Sequence, residues 1–269
     1  LRRNWSTSQL EVKVPEITAL FWVIKILTTG MGEAASDYLG NTNLVLGGLV
    51  GVGGLALAMW CQLRARKYSA PKYWFAVSMV AVFGTMTADV LHVATGLSYW
   101  ATSAVYALAV VVLFTLWRWT EGTLSVHSIN TSHRELFYWS TVLATFALGT
   151  GVGDLTGLTL HWGFLASGLL FGLVILVPLA AWRLGANPIV TFWCAYVLTR
   201  PLGASFADWI GKEHRIGDGL GFGDGRVTLV ALALVALLVT YAAISDSPWR
   251  QSDLENSAGR GLQQLDVAP

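Results

Sequence analysis

Eight stretches of mostly apolar residues occupy most of this chain, at 17–39, 43–63, 73–92, 98–119, 135–155, 160–182, 188–210 and 227–245. A helix needs about 20 such residues to cross the hydrocarbon core of a bilayer. The pattern therefore predicts an all-α integral membrane protein of eight transmembrane helices. Charged residues make up 12% of the chain, against about 25% in soluble domains, so much of the surface is expected to face something other than water. The connections are mostly short and carry turn residues, as at Gly40-Asn41-Thr42-Asn43 and Thr156-Gly157, which predicts antiparallel helical hairpins. The exception is the charged, Gly-rich segment 211–226.

Lys and Arg give the expected direction of threading. Twelve of them (Arg2, Arg3, Lys13, Arg64, Arg66, Lys67, Lys72, Arg118, Arg134, Arg183, Arg250 and Arg260) fall on one side, and only Lys212, Arg215 and Arg226 on the other. Both termini are thus expected in the cytoplasm, and an even number of spans agrees with this. The expected organisation is a cytoplasmic segment 1–16, a membrane domain 17–245 and a disordered cytoplasmic tail 246–269. The first span contains Lys25 and lacks a clean small-residue cleavage site, so it reads as a retained helix and not a secretory signal.

An internal repeat is superimposed on the spans. Trp22, Gly32 and Asp37 recur as Trp74, Gly84 and Asp89, as Trp139, Gly149 and Asp154, and as Trp193, Gly203 and Asp208, each copy reading W-x9-G-x4-D. One copy would carry little weight; four copies in register define a two-span unit, with repeats at approximately 17–63, 73–119, 135–182 and 188–245. The pattern resembles a family of bacterial membrane-anchored proteins built from tandem two-span repeats of unknown function. The first copy, from Lys25 through Thr28-Thr29 to Gly32-Glu33 and Asp37, is the most similar to the family's own. The resemblance implies the fold organisation and a bacterial inner-membrane location, and no activity.

Because each repeat holds two spans, the odd spans all run the same way. Each Asp follows its Trp by 15 residues, about 22 Å along a helix, so the four Asp residues are expected at one depth. Polar residues in the odd spans step by three or four along one face: Lys25, Thr28, Thr29, Gly32, Glu33 and Asp37 in the first; Ser78, Thr85, Asp89 and His92 in the third; Thr141, Thr145, Gly149 and Asp154 in the fifth; Tyr196, Thr199, Arg200, Gly203 and Asp208 in the seventh. The even spans have almost no such stripe. The odd spans are therefore expected inside, in a pseudo-fourfold or a two-plus-two arrangement.

A charged Asp at the bilayer centre costs roughly 2.5–3.5 kcal/mol, so these groups must face one another, water or a cation. Asp37, Asp89, Asp154 and Asp208, with Glu33 and His92, are the expected ion-binding residues, and Lys25 and Arg200 their charge partners. Asp89, His92, Glu33 and Asp37 are the candidate metal ligands, because His with carboxylate suits Mn, Fe or Zn. Arg200 precedes Pro201, which is expected to break the helix locally. The repeat glycines (Gly32, Gly84, Gly149, Gly203) are expected to let helices approach closely, and the repeat tryptophans (Trp22, Trp74, Trp139, Trp193) to be interface anchors or packing wedges.

No Gly-x-Ser-x-Gly, His-Glu-x-x-His, Walker or Rossmann motif occurs, so the chain is not expected to be an enzyme or to carry an organic cofactor. A bound divalent metal ion is the one expected inorganic partner. The net charge of +1 gives no attraction to nucleic acid. Three functions remain open. The leading one is a secondary transporter or ion-conducting protein for a divalent metal ion or protons. The others are a non-transporting scaffold or sensor with a structural charge network, and a carrier of small organic cations.

Overall fold

A computed structural model describes residues 12–245; the expected disordered tail lies outside them. Among the described residues the regular structure is entirely helical: α1 (Ala19–Thr42), α2 (Leu44–Leu63), α3 (Ala70–Thr95), α4 (Tyr99–Glu121), α5 (Ser132–Asp154), α6 (Phe164–Val174), α7 (Leu176–Arg183), α8 (Pro188–Gly211) and α9 (Asp224–Ser245). Six spans are long and apolar enough to cross a bilayer: α2, α3, α4, α5 with its extension, α6–α7 and α9. The remaining two, α1 and α8, carry Lys25, Glu33 and Asp37, and Arg200 and Asp208.

Local chemistry fixes the ends. Asn43 adopts an extended conformation between α1 and α2, and its side chain accepts the Leu46 N–H at 3.0 Å, so one residue reverses the chain. The turn expected at 40–43 is thus shorter than its composition suggests, and α1 continues through Gly40. Ser98, Thr131 and Asn187 cap α4, α5 and α8 in the same way. Gly96 and Gly122 end α3 and α4 with φ of 67° and 71°, a left-handed conformation that glycine adopts without strain. The break between α6 and α7 at Ile175 precedes Pro178, which cannot donate to the turn before it. Pro201 produces no such break: α8 is continuous from Pro188 to Gly211.

The four helices that begin the repeats, α1, α3, α5 and α8, form an inner ring. Each packs on the next, and α8 returns to α1. The outer spans follow the same rule: α2 packs on α3, α4 on α5, α6 and α7 on α8, and α9 on α1. The arrangement is pseudo-fourfold, and the last repeat closes on the first. The outer spans keep broad apolar faces exposed, such as Leu49 at 67%, Leu108 at 64% and Leu237 at 65%.

Two sets of repeat positions seal the ring. The first is glycine against helix. Ten residues after each Trp stands the repeat Gly, and it rests on the residue seven after the Trp of the next copy. Gly32 faces Ala81, Gly84 faces Phe146, Gly149 faces Arg200, and Gly203 faces Thr29. A Cβ at Gly32 would also lie 2.9 Å from the Ala81 carbonyl carbon, and one at Gly203 2.8 Å from Thr29 Cβ. The second set is aromatic. The residue before each Trp meets the Trp of the following copy, with ring centroids 5.6 Å apart for Phe21–Trp74, 5.7 Å for Tyr73–Trp139, 6.2 Å for Tyr138–Trp193 and 5.7 Å for Phe192–Trp22. Trp74, Trp139 and Trp193 are buried and Trp22 is half-buried. The tryptophans therefore pack as wedges between repeats. Beside this girdle Lys13 forms a buried ion pair with Glu135 at 2.7 Å, and Gln62 donates to the same carboxylate at 3.3 Å.

Two outcomes follow from this packing. Gly32→Ala should destabilise the protein by about 1–3 kcal/mol, because its Cβ meets backbone on α3. Gly48→Ala, where a Cβ would meet nothing within 4 Å, should not, and thermal denaturation of both variants in detergent compares them directly. Lys13→Ala should cost about 3–5 kcal/mol by leaving Glu135 buried without its cation, and the double change Lys13→Met with Glu135→Leu should recover most of that loss in the same assay.

Candidate cation site

The ring turns equivalent positions of the repeats toward one another. Eleven residues after the repeat Trp stand Glu33, Thr85, Thr150 and Ala204. Thr85 and Thr150 donate to Glu33 Oε2 at 3.0 and 2.8 Å, and their hydroxyls lie 3.1 Å apart. Three of the four inner helices thus meet at one buried carboxylate, 4% exposed. Both donors come from repeats that lack the acid.

One turn further along lie the four repeat aspartates. Glu33, Asp37 and Asp208 can each offer an oxygen so that all three lie within 4.8 Å of one another. Asp154 is buried, Asp89 half-buried, and both lie within coulombic range of the trio. Immediately after Asp154 the chain runs into a π-helical turn, Leu155–Thr159, a local geometry often found at functional sites.

Lys212 supplies the cation at this level. Its ammonium contacts the Asp37 carboxylate and lies 3.4 Å from Asp208 Oδ1. Burial alone would lower its pKa, but the negative charges of Asp208 and Asp37 prevail and hold it well above the ordinary lysine range. Even so, Asp208 Oδ1 is buried and receives no hydrogen bond. Five carboxylates (Glu33, Asp37, Asp89, Asp154, Asp208) share this one ammonium.

Lys212 stays in reach because the Gly-rich segment folds back on the end of α8. Leu220, Gly221, Phe222 and Gly223 donate their N–H groups to the carbonyls of Trp209, Lys212, Ile210 and Gly211 at 2.6–3.1 Å. These bonds satisfy carbonyls that a helix end leaves without partners. The reversal uses φ of 61° at Gly217, 75° at Gly221 and 87° at Gly223.

The structure separates Lys25 and Arg200 from the acids, contrary to the expected pairing. Each stands eight residues before an acid on its own helix, Glu33 and Asp208 respectively, about 12 Å along the axis. Lys25 Nζ donates to Thr199 at 2.9 Å and lies 3.8 Å from the Tyr196 ring centroid. Arg200 donates to Thr29 at 3.2 Å and to the Tyr196 hydroxyl at 3.1 Å, over the Phe146 ring. In the same layer the Tyr138 hydroxyl lies 2.5 Å from that of Tyr73. Both cations are therefore held by hydroxyls and π faces, in a layer between the acids and the aromatic girdle.

His92 also falls outside the cluster. Its Nδ1 lies 2.6 Å from the Leu97 carbonyl and its ring stacks on Tyr99 at 4.0 Å, so it serves the α3–α4 turn. The gathered donors, Glu33, Asp37 and Asp208, are all oxygens.

Four equivalent helical hairpins, each repeating one contact scheme, describe a tandem-repeat protein. A family described as a repeat of unknown function (DUF347) matches the chain four times, over residues 20–68, 72–123, 137–185 and 191–247. The chain belongs to this family. Each match opens two residues before a repeat Trp and takes in one inner helix and the outer span that follows it. Neither a curated protein nor a solved structure matches the chain.

Three members of the site, Thr85, Thr150 and Lys212, were not among the site residues expected from sequence. Thr85 and Thr150 were within reach, since they align with Glu33 once the repeats are stacked. Lys212 follows Asp208 by four residues, a helical neighbour spacing, yet the Gly-rich run around it reads as a loop. Thr150→Val, which removes a donor from the buried Glu33 without changing shape, should destabilise the protein by about 1–3 kcal/mol, as read by thermal denaturation.

Proposed function

We propose that this protein is a multi-pass carrier of a hard cation in the bacterial inner membrane, with Glu33, Asp37 and Asp208 as the core of its binding site and Asp89 and Asp154 completing its charge. The observation that carries the reading is the gathering of Glu33, Asp37 and Asp208 within 4.8 Å, with one ammonium among five carboxylates. An all-oxygen donor set suits Mg2+, Ca2+ or Mn2+ better than the softer metals that histidine favours. Carboxylates release protons as a cation binds, so proton exchange is the natural driving force.

A multi-pass topology is supported by the six apolar spans and by the apolar faces of the outer helices. Both termini are assigned to the cytoplasm from the excess of Lys and Arg on that side. The site then lies toward the outer side of the membrane. On the cytoplasmic side the axis is filled by Lys25, Arg200, the tyrosines and the tryptophan girdle. Two fixed cations and a packed aromatic layer oppose passage of a positive ion, which favours alternating access over an open pore.

A second reading draws on that same layer. Its hydrogen bonds run between protein groups, as a non-transporting scaffold or sensor would require, although Arg200 Nε has no partner. For the organic-cation reading, the cavity of about 500 Å3 beside Trp22, Trp182 and Phe192 has no carboxylate in its lining, and the cavity beside Tyr38, Phe222 and Asp224 includes none of Glu33, Asp37 and Asp208.

Purified protein should be stabilised by Mn2+, by about 2.7 kcal/mol at one hundred times the dissociation constant, and reconstituted protein should move Mn2+ into vesicles against a proton gradient. Asp208→Asn and Glu33→Gln should abolish both effects while the protein stays folded. Flux that is unchanged in these variants would sink the carrier reading; lowered stability with no flux in any variant would favour the scaffold.

A further inference from the structure

Two carboxylate positions flank the segment that carries Lys212. On one side are Asp37 and Asp208, where Asp208 Oδ1 is buried, takes no hydrogen bond and has the ammonium only at 3.4 Å. On the other is Asp224, the first residue of α9. Its Oδ1 is also buried without a hydrogen-bond partner. It packs against Gly211, the residue before Lys212, and lies within coulombic range of both Lys212 and Asp37. Between the two positions the main chain of Lys212 is fixed, because its carbonyl accepts the Gly221 N–H at 2.8 Å and its N–H is bonded to the Asp208 carbonyl at 2.9 Å. The Lys212 side chain keeps 19% of its surface exposed. A cavity of about 500 Å3, lined by Tyr38, Asn41, Gly221, Asp224 and Arg226, opens at Asp224.

We propose that Lys212 is a tethered ammonium that holds the place of the cation at Asp37 and Asp208, and that it moves to Asp224 when a divalent cation binds. The inference rests on the carrier reading above and adds how its site is regulated. An ammonium on a fixed backbone is a competitor at permanently high local concentration. A divalent ion must displace it, so the apparent affinity falls by the fraction of time the site is free. Asp224 lowers the cost of displacement by giving the ammonium a second partner. The exchange keeps the lysine charge compensated in both positions, and a double positive charge replaces a single one among the five acids.

The test is Mn2+ binding to the full-length purified protein, with free Mn2+ followed by electron paramagnetic resonance. Lys212→Gln should bind Mn2+ roughly tenfold or more tightly than the parent, the gain expected when a competitor that fills the site nine-tenths of the time is removed. Lys212→Arg keeps the charge and adds a bidentate grip on carboxylate, so it should bind several-fold more weakly; it also keeps the proposal testable if the Gln variant fails to fold. Asp224→Asn should weaken Mn2+ binding in the parent and have no effect in the Lys212→Gln background, a coupling that a double-mutant cycle reads directly. Binding by the parent with no gain in Lys212→Gln, or with unchanged affinity in Lys212→Arg, overturns the proposal and leaves the carrier reading standing. An equal effect of Asp224→Asn in both backgrounds removes Asp224 as the second partner. Absence of Mn2+ binding in the parent and in Lys212→Gln alike overturns both the proposal and the reading it rests on.

Discussion

The contact between a glycine on one inner helix and the backbone of the next is the constraint from which the rest follows. At Gly32, Gly84, Gly149 and Gly203 a side chain would strike the neighbouring helix. Its absence lets α1, α3, α5 and α8 approach closely enough to turn their polar faces toward a common centre. Close packing of this kind, with interhelical hydrogen bonds, associates helices that gain little from apolar contact with each other. The hydroxyl–carboxylate layer at Glu33 supplies the second term, and the aromatic girdle closes the end where the glycines do not reach.

Along the axis the polar groups are sorted by sign. The acids and Lys212 occupy one level, and Lys25 and Arg200 another about 12 Å away. Neither level neutralises the other by direct contact. The cationic level is stabilised locally by Tyr196, Phe146, Thr29 and Thr199, leaving the acids short of positive charge.

Much of this was legible in the sequence. The apolar runs and the W-x9-G-x4-D register indicated the spans, the two-helix unit and the shared face of the four aspartates, because periodicity and repetition are one-dimensional signals. The choice between one closed ring and two paired halves was not, since it depends on α9 packing against α1 across the whole chain. Lys25 and Arg200 misled because opposite charges on one stripe suggest pairing, whereas π faces and hydroxyls from α5 and α8 compete for them in three dimensions. His92 shares a helical face with Asp89, yet a carbonyl five residues ahead captures its ring. Arg200-Pro201 looked like a break, and α8 nonetheless passes through it while packed on three sides by α1, α5 and α6.

The outer span of each repeat covers the inner helix of the next, with α9 covering α1 as α2 covers α3. In such a scheme no contact requires the repeats to be joined. Separate identical hairpins could close the same ring as a homotetramer with true fourfold symmetry. Such an assembly would be bound to place every charge four times, with four glutamates at the Glu33 level and four lysines where Lys212 now stands alone. Fusion into one chain removes that restriction. It allows a single acid to be held by the threonines of its sister repeats, and a single ammonium to serve a ring of four aspartates.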